Sequence, residues 1–298
     1  MKYTCIAANR TLFPVRMMCH VLGVSRAGFY AAQSRAPSAR ACEDERLRLE
    51  IRAIHRQSSG RYGSPRVHDE LQAKQVRCGE NRVARLMRLD GLRSKKRRRF
   101  RVTTDSGHAL SGHALPVAPN LLKREFAVDA HQPDAVWVAD ITYVPTREGW
   151  LYLAVVLDLA TRLVVGWSVS ARINRSLTLR AFRMALEWRG PRPGAIHHSD
   201  RGSQYASSEY RELIAASDMR QSMSRRGDCW DNAVAESFFA TLEWELIEDA
   251  DWYTRAAAQR DIAEFIEIWY NRTRRHSSLG GLTPGQYEAQ LALTRRAA

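Results

Sequence analysis

Three acidic residues in the second half of the chain have the types and surroundings expected for chemistry at a phosphate. Asp140 lies in the middle of the apolar stretch VWVADITYV, Asp200 ends the short stretch AIHHSD, and Glu236 lies among small and apolar residues in NAVAESFF. A charged side chain within an apolar strand needs a partner or a metal ion. Carboxylate oxygens are the ligands that Mg²⁺ prefers, and a pair of such ions can clamp the attacking and leaving oxygens of a phosphodiester. We therefore expect these three carboxylates to meet in a magnesium site.

Other polar residues nearby are better explained by structural roles. Asp158 lies beside the turn at 160–162, where a carboxylate commonly caps the turn. His197 and His198 precede Asp200 on a short strand, and a hydrogen-bonded core histidine is the expected role for the one that points inward. The five cysteines are scattered and form no CxxC pair, which argues against a disulfide scaffold and a cysteine-based zinc finger.

The pattern of apolar residues predicts the elements that have to position the three acids. Apolar runs bounded by turn residues indicate strands, and apolar residues at helical spacing indicate helices. The order βββαβαβα predicts a mixed α/β sheet covered by helices, with the first three strands antiparallel because the connections between them are short. We expect strands at 135–145, 149–162, 163–170, 195–200 and 219–224, and helices at 176–190, 205–217, 230–249 and 254–271.

The first 130 residues carry all of the chain's excess positive charge. They contain 26 Lys and Arg against 11 Asp and Glu, whereas the remaining residues contain 20 and 21. Such an imbalance favours a polyanionic partner. Two helical regions, 12–33 and 42–93, each contain glycine-bounded turns typical of helix-turn-helix units, although an ordinary helical hairpin fits 12–33 equally well. Arg82, Arg85 and Arg88 follow one another at steps of three and fit a recognition helix, although a solvated basic face has the same pattern.

A strongly basic run, SKKRRRFRV at 94–102, follows these helices. Its charges repel one another unless a polyanion neutralises them, so we expect this run to contact DNA. A nuclear localisation signal has a similar composition, but no other feature indicates a nucleus. The residues assigned to DNA contact in this run are Lys95, Lys96, Arg97, Arg98 and Arg99.

These patterns divide the chain into five expected segments. No apolar run is long enough for a membrane-spanning helix, and the first residues do not resemble a signal peptide. The expected segments are a short helix-turn-helix-like segment at 1–40, a basic helix-turn-helix domain at 41–101, a linker at 102–130, an α/β core at 131–249 and a helical extension at 250–298.

Several motifs together resemble one family. VWVADITYVPT, HHSDRGSQYAS, DNAVAESFFATL and WYNRTRRHSSLGGLTPGQY occur in the same order as in DDE transposases and retroviral-type integrases. The closest resemblance is to insertion-sequence transposases of the IS-three (IS3) family, in particular the product of the second reading frame. The N-terminal stretches LGVSRAGFYA and RYGSPRVHDELQ are similar to that family too, so the resemblance covers nearly the whole chain.

The resemblance implies an RNase H-like core with N-terminal all-α helix-turn-helix modules. It implies Mg²⁺-dependent DNA strand cleavage and strand transfer, with Asp140 bridging two Mg²⁺ ions, Asp200 and Glu236 holding one each, and Mn²⁺ able to substitute. Asn232, one turn before Glu236, is expected to contact DNA or a metal ligand. The implied partners are double-stranded DNA, further copies of the chain on that DNA and the upstream reading-frame product, in a bacterial cytoplasm at the nucleoid.

One position departs from the family pattern. Seven residues after Glu236 the family usually has Lys or Arg, but this chain has Glu243, which puts a DNA contact at that position in doubt. Two other functions are compatible with the residues alone. One is a DNA-binding regulator with an inactive α/β domain, and the other is a nuclease of RNase H fold that cuts without joining.

Overall fold

The computed structural model describes residues 1–95, 115–127, 132–225 and 232–297. The chain divides into two compact units, Met1–Arg93 and Ser94–Ala298, which we describe separately.

The first unit begins with three short helices around a very small core. That core consists of Ile6, Cys19 and Phe29. The third helix begins at Ser25, whose hydroxyl accepts a hydrogen bond from the Gly28 amide at 3.0 Å, as expected for an N-cap serine. The helices are α1 (Lys2–Ala8), α2 (Val15–Val21) and α3 (Arg26–Ser34).

Three further helices complete the first unit and are joined by apolar and ionic contacts. Each turns an apolar side inward, and the buried residues include Ile51, Leu71 and Leu86. Asp90, directly after the third of these helices, accepts hydrogen bonds from Arg48 and Arg52 on the first. The helices are α4 (Ala39–Gln57), α5 (Ser64–Ala73) and α6 (Glu80–Leu89).

The second unit is built on a five-stranded mixed sheet, which confirms the predicted fold class. The strand order is β3-β2-β1-β4-β5. The first three strands pair antiparallel, and β4 and β5 continue the sheet parallel to β1. The strands are β1 (Val136–Val144), β2 (Leu151–Asp158), β3 (Val164–Ser170), β4 (Ile196–Ser199) and β5 (Arg220–Met223).

Helices cover both faces of this sheet. On one face, Trp137 and Ala139 of β1 pack in a core that includes Phe182 and Tyr210. Because strand residues alternate in direction, Val138 and Asp140 are directed to the other face. The helices are α7 (Arg175–Trp188), α8 (Ser203–Ala206), α9 (Ser208–Ala216), α10 (Ala233–Glu245), α11 (Arg255–Glu264) and α12 (Pro284–Ala297).

Two features differ from the expected elements. The helix expected at 205–217 is two helices, because the backbone at Ser207 is extended. The helix expected at 254–271 changes into a π-helix over Phe265–Thr273. In this wider turn, the side chain of Asn271 contacts the backbone of Val164 on the outer strand β3. Asn271 Oδ1 accepts from the Val164 amide at 3.0 Å, and Asn271 Nδ2 donates to the Val164 carbonyl at 3.0 Å.

The other outer strand, β5, is accompanied by the segment 115–127. The Met223 amide donates to the Pro119 carbonyl, and the Leu121 amide donates to the Ser222 hydroxyl at 2.9 Å. Leu122 is buried. This segment therefore lies along β5 as part of the second unit.

In the described parts of the chain, no helix combines the length and apolar character needed to cross a membrane.

Candidate active site

Asp140 is positioned by the middle of β1. Its Oδ1 accepts a hydrogen bond from the Ile141 amide at 2.8 Å. The pKa of Asp140 lies well above its ordinary value, mainly because its carboxyl group is buried and further because of the negative charges of Asp200 and Glu236. The Ile141 amide and the Asn232 side chain lower it in part. The carboxyl group of Asp140 therefore interacts electrostatically with both of the other predicted acids.

Asp200 lies beside Asp140 because of the parallel pairing of β1 with β4. Ala139 is opposite Ser199 in the register, so the next residues, Asp140 within β1 and Asp200 just after β4, lie on neighbouring strands. Neighbouring strands are about 4.8 Å apart. Asp200 Oδ1 accepts a hydrogen bond from the Gly202 amide at 2.9 Å, which turns the chain into α8.

Glu236 reaches the same region from α10. It lies in the first turn of that helix and is exposed. Partial burial of its carboxyl group raises its pKa. Within the described residues, no group of three His, Cys, Asp or Glu side chains is close enough to hold a metal ion. The three acids are therefore close enough to interact electrostatically, but in this structure they are not arranged as the ligands of a metal ion.

Asn232 lies between α10 and β1. It is buried, and its Nδ2 donates to the Ala139 carbonyl at 3.3 Å. Its side chain also hydrogen-bonds Asp140, which lowers the pKa of that acid. Its Oδ1 has no hydrogen-bond partner among the described residues. Because Asn232 is buried, a role in positioning Asp140 explains it better than the expected contact with DNA.

Tyr205 is a residue of this region that the sequence did not single out. It is buried in α8, and its hydroxyl has no hydrogen-bond partner within the described ranges. An aromatic residue on a helix is more often part of a core, and nothing in the sequence DRGSQYAS indicates a polar role for this one. Only the folded structure reveals the orphan hydroxyl.

The two histidines before Asp200 are both buried in the sheet, where one of them was expected to point inward. His198 Nδ1 hydrogen-bonds Ser222 at 2.8 Å, and His197 Nε2 hydrogen-bonds the Tyr210 hydroxyl at 2.9 Å. Burial, with the neighbouring His198, lowers the pKa of His197 to about 3. His197 is therefore a neutral core residue.

Asp158 caps a turn, as expected for its position. Its Oδ2 accepts from the Thr161 amide at 2.9 Å and from the Thr161 hydroxyl at 2.6 Å. Burial raises its pKa to about 6. Glu243, where the family usually has a basic residue, is half-buried on α10.

The three arginines expected on a recognition helix have different environments. Arg82 Nε donates to Asp44 on α4 at 2.7 Å, and Arg85 Nη2 donates to the same carboxylate at 2.7 Å. Arg88 is exposed. The acids that hold Arg82 and Arg85 are far away in sequence, so spacing along α6 alone could not reveal the pairing.

Of the basic run after α6, the structure describes only Ser94 and Lys95. Lys95 Nζ lies 2.5 Å from Asp249 Oδ2. The other predicted contact residues lie outside the described part of the chain; they are Lys96, Arg97, Arg98 and Arg99.

Comparisons with protein families find three matches along the chain. Residues 130–229 and 217–284 match two models of the integrase core domain, and residues 42–100 match an HTH-like domain.

Two full-length relatives are similar to the chain. Transposase InsF for insertion sequence IS3A of Escherichia coli (strain K12) is 41% identical over 291 residues, which is 97% of this chain and 98% of that protein. The insertion element IS600 uncharacterized 31 kDa protein of Shigella sonnei is 46% identical over 270 residues, which is 91% of this chain and 97% of that protein. Among solved structures, the HTLV-2 integrase catalytic core domain in complex with magnesium aligns with a TM-score of 0.40 and 18% identity, over 52% of this chain and 96% of that one.

Proposed function

The chain belongs to the IS3 family of insertion-sequence transposases, and we propose that Asp140, Asp200 and Glu236 are the carboxylates with which its integrase core cuts and joins DNA. Membership rests on relatives that match 97% and 91% of the chain. The function of the protein is transposition, and the catalytic part is an integrase core of DDE type.

The observation that carries the proposal is the placement of Asp140 and Asp200 on neighbouring parallel strands, with Glu236 on the helix that packs against β1. In agreement with this placement, burial raises the pKa of Asp140 most, and the charges of Asp200 and Glu236 raise it further. Carboxylates that share a site in this way repel one another, and a divalent cation relieves that repulsion.

The donor set suits Mg²⁺, with Mn²⁺ as a substitute. All three groups offer carboxylate oxygens, and Mg²⁺ keeps several waters, so it needs few protein ligands. Asp140 and Asp200 are neighbours, and Glu236 is an exposed side chain that can change rotamer to join them. We propose two cations, with Asp140 shared between them. When bound, they supply charge neutralisation of the phosphate and activation of the attacking oxygen.

The residues of the chain hold this site in place for two successive displacements. Asn232 and the Ile141 amide orient Asp140, and the Gly202 amide orients Asp200. In the first displacement, the oxygen of water bonds to phosphorus and the bond from phosphorus to the 3′ oxygen breaks. In the second, the freed 3′-OH attacks a target phosphodiester and displaces the 3′ oxygen of the target strand. Neither step needs a covalent link to the protein.

Asp140→Asn tests the carboxylate assignment. This substitution keeps the shape of the side chain and removes its charge. With Mg²⁺ and labelled element ends, we expect cleavage and joining to fall to background while DNA binding remains. Asp218→Asn is the matched control, because Asp218 is exposed in the turn before β5, at φ 54°, where asparagine is well tolerated. Cleavage and joining at the wild-type rate by Asp140→Asn would show that the assignment is wrong.

The HTH-like domain binds DNA, and we propose that Arg88 is one of its contacts. Arg88 is exposed, whereas Arg82 is already held by acids of α4. Replacing Arg88 by Gln is therefore expected to reduce the salt dependence of DNA binding by about one phosphate contact, a change of about 1 in the slope of log K against log salt. Arg82→Gln is the control, with a smaller expected change. If Arg88→Gln and the wild type have equal slopes of log K against log salt, Arg88 does not contact a phosphate.

We further propose that several copies act together on DNA, because an element has two ends to be cut and joined at one target. The upstream reading-frame product is a second proposed partner. Analytical ultracentrifugation of the protein with element ends, with and without that product, measures both associations. A single copy per DNA end pair, unaffected by the product, would contradict both proposals.

A further inference from the structure

A basic cleft opens beside β5, at the end of the sheet where Asp200 follows β4. Its lining includes Asn120, Lys123 and Arg225, and the last two residues are exposed. Residues 131–298 contain 20 Lys and Arg against 21 Asp and Glu, so this part of the chain has no general excess of positive charge. Two cations in one cleft are therefore a local feature of the molecule.

The parallel pairing of β4 with β5 places Arg225 near the two aspartates. The Ser224 amide donates to the Ser199 carbonyl at 2.9 Å, so the ladder continues to the ends of both strands. Asp200 and Ser224 are therefore at the same level, and Arg225 is the next residue. The strand order is β1-β4-β5, and neighbouring strands are about 4.8 Å apart. The backbone at Ser224 thus lies about 10 Å from that of Asp140.

The chain that runs beside β5 brings Lys123 to the face of the sheet that carries Asp140. By the register of β1, β4 and β5, the side chain of Ser222 points to this same face. The Leu121 amide donates to the Ser222 hydroxyl at 2.9 Å, which holds the chain there. The Lys123 amide then donates to Asn120 Oδ1 at 2.9 Å, and this turn fixes the backbone of Lys123 at the cleft.

A cleft lined by a lysine and an arginine is suited to a phosphate group. The guanidinium offers several N–H donors and the ammonium is a compact charge, and both commonly bind phosphate. A DNA strand that enters the carboxylate site meets three acidic groups, and cations beside the site offset the repulsion. Successive nucleotides of one strand rise by about 3.4 Å, so a distance of about 10 Å corresponds to about three nucleotides.

We propose that Lys123 and Arg225 bind a backbone phosphate of the element end, about three nucleotides from the phosphodiester at the three carboxylates. The inference rests on the proposed function, because the distance is counted from a strand held at those carboxylates. The element end is cut first and then has to stay in place for joining. A phosphate contact fixes the position of the strand without reading its bases.

Neutral methylphosphonate linkages test this contact one phosphate at a time. Each duplex of the element end carries one such linkage near the reacting bond. Binding to the full-length protein is measured by fluorescence anisotropy without divalent cations, so that no cleavage occurs. With the wild type, one linkage about three nucleotides from the bond should weaken binding roughly ten-fold, as expected for the loss of a hydrogen bond to a charged group. With the double variant Lys123→Gln/Arg225→Gln, the same linkage should have no effect.

Arg220→Gln is the matched control. Arg220 is exposed at the first position of β5, at the opposite end of the strand from Arg225, and its Nε donates to the Gly194 carbonyl at 3.1 Å. The variant removes a guanidinium from the same strand but not from the cleft. We expect it to respond to every linkage as the wild type does, which separates a phosphate contact from a general loss of positive charge.

Three results would overturn the inference. The first is an equal effect of the linkage on the double variant and the wild type. The second is a double variant that no longer responds to a linkage at any position, which indicates a general disturbance. The third is a response to linkages in target DNA but not in the element end.

Asp140→Asn distinguishes these results from failure of the proposed function. If Asp140→Asn abolishes cleavage while the linkage affects the double variant and the wild type equally, only the role of the cleft is wrong. If Asp140→Asn cleaves element ends at the wild-type rate, the carboxylate assignment itself is wrong, whatever the linkages show.

Discussion

Replacing Arg274 by Met should destabilise the second unit strongly. Glu245, the last residue of α10, is buried and accepts hydrogen bonds from Arg274 Nε at 2.9 Å and Trp269 Nε1 at 2.7 Å. The side chains of Arg274 and Glu245 are only 7% and 0% exposed. Methionine fills much of the same space but removes the guanidinium, so the carboxylate of Glu245 remains buried and loses its ion pair with Arg274.

The expected loss follows from this burial. Breaking a buried ion pair by removing one partner typically costs about 3–5 kcal/mol, and we expect about 3 kcal/mol here because the bond from Trp269 remains. The pair Arg147–Asp251 provides the contrast, since its side chains are 53% and 66% exposed. Arg147→Met should therefore cost less than about 1 kcal/mol.

A double variant tests whether the buried charge is the cause. Glu245→Gln removes that charge, so Glu245→Gln combined with Arg274→Met should recover a large part of the loss, because pairs of contacting residues are not additive. If the double variant is less stable than Arg274→Met alone, the reasoning from the uncompensated charge is wrong.

Tryptophan fluorescence during urea unfolding is a suitable assay. All 8 tryptophans lie between positions 137 and 269, so the signal reports on the second unit alone. A loss below about 1 kcal/mol for Arg274→Met, equal to that of Arg147→Met, would refute the expected effect of burial. Because α10 also carries Glu236, we expect the variant that loses the most stability to lose the most strand-joining activity as well.

Two further predictions concern the core of the second unit. Gly166→Ala should cost about 3 kcal/mol in urea unfolding, because a Cβ there would lie 2.2 Å from the Ala181 carbonyl oxygen and 2.8 Å from the Ala185 amide nitrogen of α7; an unchanged unfolding midpoint would contradict this contact. His197→Gln should remove a pH dependence of about 1.4 kcal/mol per pH unit. His197 has a pKa of about 3 in the fold against 6.5 when free, so the unfolded chain binds more protons, and stability is lost as pH falls from 6.5 towards 3. Because Asp158 acts in the opposite direction in part of this range, the difference between variant and wild type is the quantity to measure, and parallel profiles would show that His197 is not held neutral.

The strands were predictable from sequence because each is a short apolar run with a clear boundary. β1 was expected at 135–145 and is Val136–Val144. The π-helix was not predictable, because its wider turn goes with a contact between Asn271 and Val164, more than a hundred residues away. Local periodicity contains no information about such a partner.

The site was predictable to the extent that its residues conflict with their surroundings. Asp140 stands out because a charge interrupts an apolar strand, while Tyr205 looks like an ordinary core aromatic. The pairing of Arg82 with Asp44 was missed for the same reason as the π-helix, because the two residues meet only in the folded unit. The metal-ligand roles of Asp140, Asp200 and Glu236 remain a prediction.

The contacts along the two outer strands have a consequence for self-association. An open strand edge offers its backbone groups to any other chain that can add a strand, which promotes aggregation. In this protein the Val164 backbone is already bonded to Asn271, and the Met223 amide is bonded to Pro119. At these positions the sheet is closed to extension by a second molecule. The proposed assembly of several copies on DNA is therefore not expected to pair strands at these two positions.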